Sequence, residues 1–211
     1  VVMAYRQSDG AEAWPAPVYL AADAEQARGG EDVRYLDVDT TPVLAHVGRT
    51  EAVFVASYEG GVYALAASSG DRLWANESAT GVNELTYWTR PRKPKAEAEL
   101  NKRAEDTPHR VLVAASGLTG VWGLALEDGA ELWRRDLPTG GVTAAEPWSG
   151  ALLVGTTRYG LFLLHPLDGS VLDGLDSGAA FAATPAAFGK HAYVLSNEGV
   201  LLHLTIVPPT G

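Results

Sequence analysis

Three observations predict an all-β fold, a β-propeller built of four-stranded blades. A unit of about 40 residues recurs along the chain, short apolar runs alternate with glycine turns, and 12 Pro and 23 Gly are spread over 211 residues. A blade exposes two apolar sheet faces and cannot cover them alone, so stacked neighbours are required.

The repeat begins with an anchoring Gly and a turn Gly nine residues later. Gly61 leads to Gly70, Gly120 to Gly129 and Gly160 to Gly169, and Val1 leads to Gly10 in the same register. Trp14, Trp74, Trp133 and then Asp173 stand four residues beyond the turn Gly. A fifth copy starts at Gly199. Anchors at 1, 61, 120, 160 and 199 give steps of 60, 59, 40 and 39, so the first two steps carry about 20 additional residues each.

Each element of the unit has a physical reason. Val53–Ser57, Val111–Ala115, Leu152–Gly155 and Ala192–Leu195 are short apolar runs, as expected of strands buried on both faces. The Gly at the second turn supplies a positive φ, and the Asp or Ser before it can bond the turn backbone. A Trp in the outer strand can close the gap between adjacent sheets. Thr41-Pro42, Thr107-Pro108, Glu146-Pro147 and Thr184-Pro185 precede the apolar runs and are read as the start of each innermost strand, where a missing N–H matters least.

The string Val62–Trp74 resembles the blade signature of PQQ-like repeats, roughly Tyr-Ala-Leu-Asp-x-x-Thr-Gly-x-x-x-Trp. Ala66 stands where Asp is usual and Ser69 where Thr is usual. Val121–Trp133 and Leu161–Asp173 are weaker copies, and Val1–Trp14 is partial. The likeness is closer to the family's BamB-like, outer-membrane-assembly branch than to its quinoprotein dehydrogenases. Those enzymes place a vicinal Cys pair over the quinone, and this chain has no Cys. The resemblance implies a non-enzymatic scaffold without cofactor, exported to the periplasm or cell envelope and holding protein partners in a larger assembly. The alternatives are a quinoprotein dehydrogenase-like enzyme and a ligand-binding secreted propeller. Seven or eight blades are usual in the family, so four to five copies predict part of a larger ring. The start at Val1-Val2-Met3, with no initiator Met, basic region or lipid-attachment Cys, points to a processed or partial product.

Residues at about 15–40 and 75–106 break the repeat and are expected as insertions in a propeller spanning 1–211. Leu20–Arg28, followed by Gly29-Gly30, and Ala96–Ala104 both read as short helices. The second insertion holds Arg90, Arg92, Lys93 and Lys95. Within 90–103 there are six basic and two acidic residues, against a net −10 for the chain. Tyr87 and Trp88 just before it are candidate anchors, with the four basic residues as a rim for a protein partner. The acidic body argues against nucleic acid, and no apolar run reaches the ~20 residues that span a bilayer.

Other motifs are weaker. Asp37-Val38-Asp39-Thr40-Thr41 matches Asp-x-Asp-x-Thr but leads into a blade, not a strand–helix turn, and reads as a polar strand edge. His46, His109, His165, His191 and His203 show no helical ligand spacing and read as satisfied histidines. Gly61, Trp74, Gly120, Trp133 and Gly160 are assigned to blade construction.

Overall fold

The computed structural model describes residues 1–20, 38, 40–90, 110–137, 141–158 and 160–206. Among them there is no helix, and every regular element is a strand. The helices expected at Leu20–Arg28 and Ala96–Ala104 fall outside the described residues, apart from Leu20.

The first sheet runs β1 (Val43–Val47), β2 (Thr50–Ser57), β3 (Gly61–Ala66) and β4 (Arg72–Asn76) in simple antiparallel order. The second uses β5 (Val82–Thr89), β6 (Arg110–Ser116), β7 (Gly120–Leu124) and β8 (Glu131–Arg135). The third uses β9 (Glu146–Trp148), β10 (Ala151–Thr156), β11 (Gly160–Leu164) and β12 (Val171–Leu175). The last has three strands, β13 (Ala186–Phe188), β14 (His191–Leu195) and β15 (Leu201–Thr205). Ahead of them, Val2 bridges Val18 and Tyr5 bridges Glu12, so the first 18 residues form a hairpin in the position of a blade's two outer strands.

The sheets stack face to face. Phe54 and Ala64 of the first meet Leu112 and Trp122 of the second. Val113 and Val121 of the second meet Leu152 and Val154 of the third. Leu153 and Leu161 of the third meet Ala192 and Val194 of the fourth. On the other side of the first sheet, Val55, Tyr63 and Leu65 pack on Trp14 and Leu20. Strands β3 and β10 are buried at every position because both faces carry a neighbour.

Two parts of the sequence reading are corrected. The innermost strand of the second sheet is β5, inside the interval expected as an insertion, so the excursion lies between the first and second strands of that blade. A bulge between Val82 and Glu84 shifts the β5–β6 register, and Asn83 turns its amide to the Val142 carbonyl at 3.3 Å. That breaks the alternation by which a strand is recognised. Thr107-Pro108 lies outside the described residues, whereas Pro147 is in β9 and Pro42 and Pro185 directly precede β1 and β13.

The second correction is one residue in size. In the first sheet Ala56 pairs with Val62, and in the fourth Leu195 pairs with Leu201. Ser57-Tyr58-Glu59-Gly60 therefore matches Ser196-Asn197-Glu198-Gly199, and the fifth anchor is Val200. A one-residue slip exchanges the two faces of a strand. With Val200 as anchor, Leu202 and Leu204 face the preceding sheet, as Tyr63 and Leu65 do.

Candidate partner-binding surface

The strand period divides the two expected aromatic anchors. Successive side chains of β5 point to opposite faces. Tyr87 is half-buried against the core between the first and second sheets, and Trp88 is buried in the core between the second and third. Trp88 is thus a packing residue and not an exposed anchor, a correction that follows from the strand assignment. Arg90 is half-buried at the end of β5, while Arg92, Lys93 and Lys95 lie outside the described residues. At the base of the same excursion Arg110 donates to the His46 carbonyl at 3.1 Å and pairs with the Glu127 carboxylate. This ties the second blade to β1 of the first.

The blade residues form a repeated joint. Gly61, Gly120 and Gly160 have φ of 92°, 86° and 93°. A Cβ there would stand 2.2, 2.3 and 2.1 Å from the carbonyl oxygens of Asn76, Arg135 and Leu175, so any side chain would push the outer strand away. Thirteen residues after Val1, Gly61 and Gly120 comes the joint's indole. Trp14 Nε1 donates to the Ala67 carbonyl at 2.8 Å, Trp74 Nε1 to Leu126 at 2.8 Å, and Trp133 Nε1 to Pro166 at 2.9 Å. Each ring also covers the turn Gly of the next blade, Gly70, Gly129 and Gly169. A buried indole needs an acceptor, and the turn supplies one.

The fourth joint departs from this pattern. Asp173 takes the indole position, paired with Leu163 as Trp74 is with Ala64. All five residues of β12 are exposed, whereas the Trp of β4 and of β8 is buried. Between β12 and the end of β15 there is a cavity of about 570 Å³. Trp148 lines it too, and its Nε1 is buried without an acceptor.

One association was not visible in the sequence. His191 Nδ1 and His203 Nε2 stand 2.9 Å apart, and Tyr193 stacks on His203 with centroids 4.9 Å apart. The signal was hairpin pairing, which sets Tyr193 opposite His203 and requires the correct register. Among the described residues no group of three or more His, Cys, Asp or Glu is arranged to hold a metal. Asp37 and Asp39 lie outside the described residues. Thr40 is buried and its hydroxyl accepts from the Ala56 N–H at 3.0 Å, a structural role.

The arrangement defines a class: antiparallel blades stacked as in a β-propeller, closed at three joints by an indole over a glycine turn. Known proteins place it further. Residues 1–90 match the family model described as outer membrane protein assembly factor BamB. The chain is 26% identical over 180 residues to the protein of that name from Legionella pneumophila (strain Paris), covering 84% of this chain and 40% of the relative. The chain thus spans about two fifths of the length of that curated relative. The crystal structure of BamB from Moraxella catarrhalis superposes with a TM-score of 0.58 at 15% identity, over 79% of this chain and 46% of that one. The computationally designed Ika4 protein superposes with a TM-score of 0.56 at 15% identity, over 85% of this chain and 99% of that one. The chain is thus similar to proteins built of PQQ-like repeats of the BamB-like kind.

Proposed function

We propose that this chain is a non-enzymatic β-propeller scaffold of the cell envelope, holding protein partners during outer-membrane protein assembly. The likeness to BamB over 84% of the chain carries this reading. The blade geometry agrees with it. Conserving the fold occupies the Gly and Trp positions in joints, which leaves loops and sheet edges to meet a partner. The excursion between β5 and β6 is the first such element: Tyr87 and Arg90 stand at one root of it and Arg110 at the other. Among the described residues no helix is long and apolar enough to cross a membrane.

The test is co-purification from envelope fractions after in-cell crosslinking, with residues 91–108 replaced by a short Gly-Ser linker in a parallel sample. A stoichiometric partner from the outer-membrane assembly machinery is expected, and its recovery falls with the linker. A bound quinone with a metal, seen by absorbance and mass, would overturn the scaffold reading. Partner retention by the linker variant would remove only the excursion from the interface.

A further inference from the structure

We infer that His191 and His203 form a two-imidazole site for a divalent first-row transition ion, on the face of the last sheet turned away from the third. The inference goes beyond the scaffold reading and does not rest on it.

The repeat marks these two residues as a departure. Counted from the pair Leu195 and Leu201, the position of His191 is held by Ala52, Val111 and Ala151 in the earlier sheets. The position of His203 is held by Ala64, Gly123 and Leu163. Small or apolar residues suit both places, because that face of each earlier sheet packs on the next. In the last sheet both are imidazoles, and both are exposed, so the need to satisfy a buried polar group does not explain their pairing.

Hairpin pairing fixes the geometry. His191 lies opposite Thr205 and Tyr193 opposite His203, which makes the two imidazoles diagonal neighbours on one face. His191 Nδ1 stands 2.9 Å from His203 Nε2, with ring centroids 5.1 Å apart. Tyr193 stacks on His203 at an interplanar angle of 11° and restrains that ring. An ion bound at ~2.0–2.1 Å by two nitrogens in adjacent, right-angled positions sets them about 2.9 Å apart. The spacing therefore fits a tetragonal or octahedral ion that takes imidazole, such as nickel(II) or copper(II), after a small pivot of the rings. Binding releases the proton that the pair otherwise shares as a hydrogen bond, and water fills the other coordination positions. The net charge of −10 favours a cation. Both ligands lie within one hairpin, so no other part of the chain is needed to bring them together.

The test is titration of nickel(II) into the ¹⁵N-labelled 211-residue chain, read by loss of amide signals and by Tm. Saturable loss at Tyr193, His203 and Thr205 is expected, with a Tm that rises with nickel. His191→Ala and His203→Ala install the residues of the first blade. Each must weaken nickel binding at least tenfold and remove the rise in Tm. Should one of them not fold, His191→Gln or His203→Gln replaces it with the same expected loss. His46→Ala, on β1, binds nickel as the parent does. No saturable loss in the parent, a smaller effect in either folded variant, or a tenfold loss in His46→Ala overturns the site. Signals lost only around His46, His109, His165 or the amino terminus overturn it too. The two readings fail separately, since nickel binding without a quinone leaves partner capture unaffected.

Discussion

A Cβ placed on Gly129 would lie 2.5 Å from Trp74 Cε3. The indole of one blade and the turn of the next are thus fitted to each other at atomic contact, and the Trp74–Leu126 hydrogen bond holds the ring there. The joint depends on both partners, the large side chain and the absent one.

Trp74→Ala should destabilise the chain by about 3–5 kcal/mol, because it opens a large cavity between the first two sheets and leaves a turn carbonyl without its donor. Urea unfolding followed by fluorescence of the remaining tryptophans measures this. A loss below about 1 kcal/mol would mean that the indole is not integral to the joint.

Gly129→Ala and Gly10→Ala separate backbone strain from steric contact. Both glycines have positive φ, 72° and 70°, but nothing lies within 4 Å of a Cβ on Gly10. The Gly10 substitution should cost about 1–2 kcal/mol from the backbone alone. The Gly129 substitution should cost about 2–5 kcal/mol, since displacing Trp74 is added. Equal losses in thermal unfolding would contradict the fitted joint.

Glu146 carries a pH-dependent penalty. Burial raises its carboxyl above the ordinary 4.5, against a smaller lowering by the Ala187 N–H, which it accepts at 3.3 Å. Between the ordinary and the raised value the folded chain holds more proton than the unfolded one, so stability falls as pH rises through that window. Glu146→Gln keeps an acceptor for Ala187 and does not titrate. It should raise Tm at pH 7, and its advantage should vanish below about pH 4, where Glu146 is protonated in both states. A constant difference across pH would refute the assignment.

Deleting residues 82–108 should abolish folding, because β5 contributes Leu85 and Trp88 to two cores. Circular dichroism and a urea titration check the loss.

Much of the fold was legible in the residues because each feature was local. Gly61, Gly120 and Gly160 mark turns that only glycine can make, and the 13-residue spacing to Trp74 and Trp133 marks joints. Strand β5 was not legible, since its bulge and its polar Asn83, Glu84 and Thr86 hide the period-two pattern. The placement of the two candidate anchors was not legible either: Tyr87 and Trp88 are adjacent in sequence, yet the pleat sends them to different cores.

Repeat length, turn chemistry and the apolar runs, all short-range properties, determined by themselves that this chain folds as stacked antiparallel blades. Only the tertiary structure decided the register of the last hairpin, the burial of Trp88, the meeting of His191 with His203, and the exposure of β12 around Asp173. Each of these depends on which face a side chain takes and on what the neighbouring sheet presents to it. Pairing across strands sets that, and a one-residue slip reverses it.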